Sequence, residues 1–190
     1  RRSFLYYVTE YVEGPTLRQW MHDHPEPALD RVRDIIGQLA QGLRAFHRKE
    51  MIHQDLKPEN IVIDPDGTVK IIDFGSAKIA GLEEIASPAD GPGLLGTIDY
   101  AAPEYLIGQA PTNRSDIYSL GVVAYEMLSG HHPYGKGFST RRQIEKCKYI
   151  PAARHNPDIP VWFDGALQKA TCCDPARRYG TLSEFIGDLS

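Results

Sequence analysis

One short stretch of this chain gathers groups that could do chemistry together. His53-Gln54-Asp55-Leu56-Lys57-Pro58-Glu59-Asn60 is followed, thirteen residues after Asn60, by Asp73-Phe74-Gly75. The combination supplies a carboxylate, a cation, an amide and a second carboxylate. That is the inventory of phosphoryl transfer: a carboxylate orients a hydroxyl nucleophile, a lysine neutralises charge on the moving phosphoryl, and oxygen ligands hold magnesium. A bare Asp-Phe-Gly tripeptide recurs by chance, whereas an eight-residue His-x-Asp-x-Lys-Pro-x-Asn pattern at this distance does not. The plain alternative is that Asp55, Lys57 and Asn60 cap and solvate a loop after a helix, and it leaves the spacing unexplained.

These groups need elements to position them. From Asp30 to about Lys49 the residues Val32, Ile35, Ile36, Leu39, Leu43 and Phe46 recur at three- and four-residue steps, which predicts an amphipathic helix leading to the motif. Ile61-Val62-Ile63 and Val69-Lys70-Ile71-Ile72 flank Asp64-Pro65-Asp66-Gly67, the pattern of a β-hairpin. This ribbon is expected to carry the two motif loops at opposite ends. Phe4 to Thr9 reads as a strand, Gly14-Pro15 ends it, and a short helical stretch runs from about Thr16 to His22. Residues 76–97 have little pattern and much Gly, Ala and Pro, and a loop of that length is usually functional or mobile. Helical patterns return at about 115–129, 162–173 and 181–189. There is no internal repeat and no low-complexity tract.

Bulk properties narrow the function classes. With 190 residues, 42% hydrophobic and 24% charged, the chain can bury one substantial core. A formal charge of −4 and Lys/Arg runs no longer than two give no electrostatic footprint for nucleic acid or an anionic membrane. No apolar stretch is long enough to cross a bilayer, and the start is no signal peptide. A cytoplasmic location is expected. Cys147, Cys172 and Cys173 are odd in number and two are adjacent, so they read as buried or incidental thiols in a reducing compartment, neither a disulfide framework nor a zinc site. His22, His24, His131 and His132 lack ligand spacing and read as solvated loop histidines.

The motifs together resemble the catalytic and metal-binding loops of the eukaryotic-type Ser/Thr protein kinase family. Further segments extend the likeness over nearly the whole chain. Gly96-Thr97-Ile98-Asp99-Tyr100-Ala101-Ala102-Pro103-Glu104 resembles the substrate-docking segment, and Asp116-Ile117-Tyr118-Ser119-Leu120-Gly121 resembles the start of the central helix. Asp174-Pro175-Ala176-Arg177-Arg178 matches a late Asp-Pro-x-x-Arg element, and Thr9-Glu10-Tyr11-Val12 sits where the adenine-binding hinge belongs. The compact sequence is similar to bacterial members of the family.

The resemblance implies an α+β fold, mainly α-helical: a kinase carboxy-terminal lobe with small β-hairpins at the active site. Residues 1–14 would be the last strand of the amino-terminal lobe and the hinge. Residues 15–190 would be the carboxy-terminal lobe, with a catalytic loop at 53–60, a metal loop at 73–75 and an activation and docking segment at 76–104. It implies ATP with Mg²⁺ (or Mn²⁺) and a protein substrate bearing Ser or Thr. Asp55 would orient the substrate hydroxyl, since a carboxylate is an acceptor at neutral pH, and Lys57 would stabilise the γ-phosphoryl. Asn60 and Asp73 would supply the oxygen ligands that Mg²⁺ prefers. The backbone of Glu10 and Val12 would bond adenine, with Thr9 as gatekeeper and Val62 beneath the base. For Thr9 and Val62 ordinary strand-core packing is the simpler description. Thr97 would dock substrate. His53, Phe74, Asp116 and the Glu104–Arg178 pair would be structural.

The pattern departs from the family in two places. Gln54 replaces the arginine that pairs with an activation-loop phosphate, and Ser76 and Ser87 are the only hydroxyls between Asp73 and Thr97. Regulation by another domain or partner, or none, is therefore expected. The sequence also has no Gly-rich phosphate loop, no strand lysine and no partner glutamate for it. ATP would then be held from one side, so that the chain without an amino-terminal lobe would be nearly inactive. Two alternatives are a kinase fold retained as a binding scaffold, which has no need of Asp55, Lys57, Asn60 and Asp73 together, and a small-molecule phosphotransferase of related fold. The Ala102-Pro103-Glu104 segment, which shapes a groove for a protein chain, opposes the second.

Overall fold

The computed structural model describes residues 10–73, 78–79, 99–135 and 137–190. Six α-helices and four short strands are found among them: α1 Leu17–Asp23, α2 Leu29–His47, β1 Met51–Ile52, β2 Ile61–Ile63, β3 Val69–Ile71, β4 Lys78–Ile79, α3 Asn113–Ser129, α4 Arg141–Glu145, α5 Val161–Ala170 and α6 Leu182–Asp188. This is the mainly helical α+β architecture expected. The expected strand at residues 4–9 lies outside the described residues.

Helix α3 organises the core. Every residue from Ser115 to Leu128 is buried, which is how a helix without an amphipathic stripe behaves: it is surrounded. It packs against α2 on one side and α5 on the other. Gly121 makes the α5 contact possible, since a Cβ there would lie 2.9 Å from both Ala170 Cβ and Thr171 Cγ2. Helix α2 buries Val32, Ile35, Ile36, Leu39 and Leu43 of the periodic face read from the sequence, together with Ala40, while Phe46 is half-buried. Each buried Val, Ile or Leu contributes roughly 1.5–3 kcal/mol relative to exposure.

Helix starts follow local chemistry. Thr16, Thr112 and Thr140 each accept a backbone N–H of the first turn, and Gln19, Ser115 and Gln143 reach back to complete capping boxes; such caps contribute about 1 kcal/mol each. Helix α3 ends at Gly130, whose φ of 67° is the left-handed conformation that favours glycine.

Strands β2 and β3 pair antiparallel with Ile61 opposite Ile71 and Ile63 opposite Val69. This register corrects the expectation about the motif loops. Residue 60 precedes β2 and residue 72 follows β3, so both loops leave from the same open end of the hairpin, where the Ile72 amide donates to the Asn60 carbonyl at 2.9 Å. An antiparallel turn brings its flanks together. Strand β1 pairs with β4, Met51 opposite Ile79, a contact the sequence pattern did not announce. The connector before α1 is fastened to β2 by the Ile63 amide donating to the Pro15 carbonyl at 3.1 Å. Gly14 permits it: its φ is 133°, and a Cβ there would fall 2.1 Å from the Ile63 carbonyl oxygen.

Candidate active site

The loop between β1 and β2 is held from below. Asp116, fully buried in the first turn of α3, accepts the His53 amide through Oδ2 and the Gln54 amide through Oδ1, both at 3.0 Å. An acidic residue is favoured near a helix N-terminus, and here its two oxygens become fixed acceptors for successive amides. Gln54 adopts φ 69°, an uncommon conformation for a side-chain-bearing residue. The Asp116 clamp holds this turn. His47, near the end of α2, donates from Nε2 to the same carboxylate at 2.9 Å; nothing in the sequence pattern had singled it out.

His53 is completely buried, and burial holds its imidazole pKa below the ordinary value in spite of the nearby Asp116 and Asp55 charges and a hydrogen bond with the Asp73 backbone. The contact with Asp73 ties the start of one motif loop to the other. Leu56 is fully buried and anchors the middle of the loop, which leaves the residues on either side directed to the site.

Those residues converge on one carboxylate. Asp55 Oδ2 accepts Lys57 Nζ at 2.8 Å and Asn60 Nδ2 at 3.1 Å, and Asn60 Nδ2 also donates to the Asp55 carbonyl at 3.0 Å. The 3-10 turn Pro58–Asn60 makes this return possible by folding Asn60 back toward Asp55. Oδ1 of Asp55 is shielded from solvent and accepts no hydrogen bond among the described residues. The carboxylate is therefore held through one oxygen, while the other is buried and unpaired among the described residues. Asn60, its amide nitrogen committed to Asp55, retains its oxygen as a hard ligand for a cation. No group of three or more His, Cys, Asp or Glu able to hold a metal occurs among the described residues.

Glu104 and Arg178 form the expected buried pair. Nη1 and Nη2 donate to Oε1 and Oε2 at 2.8 and 2.7 Å, a bidentate arrangement. A model of the protein kinase domain matches residues 1–186. The chain belongs to the protein kinase domain family. It is 34% identical over 190 residues to the serine/threonine-protein kinase PrkC of Bacillus subtilis, covering 97% of this chain and 28% of that protein. It is 36% identical over 187 residues to the serine/threonine-protein kinase PknB of Mycobacterium leprae, covering 97% and 30%. The PknB of Mycolicibacterium smegmatis is 36% identical over 186 residues with the same coverage. The chain thus spans less than a third of the length of these curated relatives.

Of the residues that the resemblance would put beside adenine in this kinase domain, Glu10, Val12 and Val62 are described. Glu10 is exposed and pairs with Lys70 Nζ at 2.9 Å, and Val62 is buried and bridged to Thr16. Thr9, Phe74 and Thr97 lie outside the described residues, as do Ser76 and Ser87.

The kinase domain also carries a network that sequence reasoning missed. Arg18 of α1 donates from Nε to Glu59 of the catalytic loop and from Nη1 to Glu126 of α3, both at 2.8 Å. Nη2 donates to the Tyr100 hydroxyl, which in turn donates to Glu126 Oε2 at 2.5 Å. His132 Nε2 lies 3.6 Å from Glu126 and is largely buried, so it is no solvated loop histidine. Burial works against the Glu126 charge, yet the hydrogen bonds from His132, Arg18 and Tyr100 hold its carboxyl at about 2. Residues 41 and 108 positions from Arg18 leave no periodic signal, which is why the cluster was not legible. No described helix is long and apolar enough to cross a membrane.

Proposed function

We propose that this chain is the catalytic portion of a Ser/Thr protein kinase that moves the γ-phosphoryl of ATP to a Ser or Thr hydroxyl of a protein substrate. The observation that carries the reading is the asymmetry of Asp55. Lys57 and Asn60 fix Oδ2, and Oδ1 is a buried acceptor without a partner among the described residues. Such an oxygen is costly to leave unpaired, and a substrate hydroxyl satisfies it. Asp55 then aligns the hydroxyl and accepts its proton as the oxygen–phosphorus bond forms.

Lys57, beside Asp55, sits where charge accumulates on the transferring group. Asn60 and Asp73 would hold Mg²⁺, which when bound neutralises phosphate charge and orients the leaving group. Glu10 and Val12 would offer backbone bonds to adenine and Val62 an apolar floor, with Thr9 behind it. Thr97 would position the acceptor segment, and the Lys57-Pro58 sequence favours Ser/Thr over Tyr. An amino-terminal lobe in the parent chain would cover the phosphates, and the need for ATP supports a cytoplasmic site of action.

The test is transfer from ATP·Mg²⁺ to a generic protein substrate by the full-length parent protein beside Asp55→Asn. We expect phosphoserine or phosphothreonine in the product and a loss of about 10²–10⁴ in rate with the variant. Undiminished transfer by the variant, or phosphotyrosine alone, refutes the reading.

A further inference from the structure

Three cysteines read from the sequence as incidental turn out to be placed around the anchor of the docking segment. Cys147 and Cys173 are joined in a disulfide across 26 residues, and Cys172 is a free thiol beside them. The sequence could not show this, because the two residues lie 26 positions apart and meet only in the folded chain.

The surroundings give the bond a consequence. Arg178 Nε donates to the Cys172 carbonyl at 2.7 Å and Nη2 to the Cys173 carbonyl at 3.3 Å, while the same guanidinium grips Glu104. Cys147 follows α4, and α4 packs against the 3-10 turn Pro103–Ile107 that contains Glu104. A closed ring results: Glu104 to α4, α4 to Cys147, Cys147 to Cys173, and Cys173 through Arg178 back to Glu104. Both bonded cysteines are half-buried. They line an open cavity of about 770 Å³ together with Glu104, Ile107, Cys172 and Arg177, room enough for a small-molecule disulfide to reach them.

We infer that Cys147 and Cys173 are a reversible thiol–disulfide switch whose state sets how firmly the Glu104 segment is held. The oxidant is a small-molecule disulfide. The Cys147 thiolate attacks one of its sulfurs and expels a thiolate; the Cys173 thiolate then attacks the Cys147 sulfur of the mixed disulfide and expels the second. Two protein thiols are oxidised, the small disulfide is reduced to two thiols, and the two protein protons pass to the leaving thiolates. Oxidation closes the ring around Glu104 and reduction opens it. The bearing on substrate docking rests on the kinase reading above; the linkage and its effect on the anchor do not.

The experiment equilibrates the full-length protein in glutathione buffers spanning reduced to oxidised. Peptide mapping after alkylation in denaturant reads the thiols, and amide hydrogen exchange reads residues 103–109. We expect Cys147 and Cys173 to disappear together from the alkylated pool while Cys172 remains. Exchange over 103–109 should be on the order of tenfold faster in the reduced form. Cys147→Ser should exchange at the reduced rate in every buffer, and Cys172→Ser should still switch. In active protein, KM for a protein substrate should rise on reduction with kcat little changed. Alkylatable Cys147 and Cys173 in every buffer overturn the linkage, and a disulfide that forms without changing exchange overturns the switch. Absent phosphate transfer in both redox states, with exchange still responding, refutes the kinase reading alone.

Discussion

Removing Arg178 should cost the domain a large part of its stability before it touches chemistry. Its side chain is fully buried against a Glu104 that is almost so. It makes five hydrogen bonds: two to the Glu104 carboxylate and three to the carbonyls of Cys172, Cys173 and Arg114. Every guanidinium donor has a use. Arg178→Ala leaves a buried carboxylate with the Ser115 hydroxyl at 2.7 Å as its remaining side-chain partner, and three carbonyls lose a charged donor. Breaking a buried pair on one side costs about 3–5 kcal/mol, a large part of the 5–15 kcal/mol typical of a folded domain. With a urea dependence of about 2 kcal/mol per molar, the unfolding midpoint of this domain should fall by about 2 M. Arg178→Lys keeps the charge without the planar fork and should lie between. The double variant Arg178→Met, Glu104→Gln should be less damaged than the sum of the singles, since it leaves no orphaned charge. A soluble Arg178→Ala protein with an unchanged midpoint and no transfer activity would refute the structural role.

Two further outcomes follow from the geometry. Glu126 is held at about 2 against an ordinary 4.5. A depressed folded-state value means its stabilisation is complete above about pH 4.5 and is lost as pH falls toward 2, on the order of 2–3 kcal/mol; Glu126→Gln should flatten that part of an acid denaturation profile. His132, raised above 6.5 by the same carboxylate in spite of burial, contributes with the opposite sign, fully below pH 6.5 and less as pH rises through its folded value. Gly14→Ala should break the Pro15–Ile63 fastening, because its Cβ meets a backbone oxygen at 2.1 Å with φ at 133°; chemical denaturation and the KM for ATP, read together, check whether the connector has come loose from the hairpin.

What the sequence disclosed depended on whether a residue's role is repeated locally. The face of α2 was legible because five buried positions and the half-buried Phe46 obey one period, and the hairpin because two apolar runs flank a Gly-bearing turn. Asp55, Lys57 and Asn60 stood out because the proposed chemistry would need them close together along the chain, and they do converge on one carboxylate. Strands β1 and β4 have two residues each, too few for a period to exist. The hairpin was right and its consequence wrong: chain order separates the motif loops, while antiparallel pairing joins them.

The residues that stayed hidden share a different property, and it bears on how the site works. His47, Arg18, Glu126 and Tyr100 each act across 26 to 108 positions of sequence, through side chains that fasten one element to another. Helix α3 supplies most of the fixed ends: Asp116 to the catalytic loop, Ser115 to Glu104, Ser119 to the Tyr100 carbonyl at 2.8 Å, and Glu126 to Arg18. A helix buried on all sides is the element least free to move, so loops tied to it inherit its position. The loop around Asp55 and the segment around Glu104 are thereby referred to one rigid axis. This arrangement predicts that substitutions at the fixed ends alter both loops together.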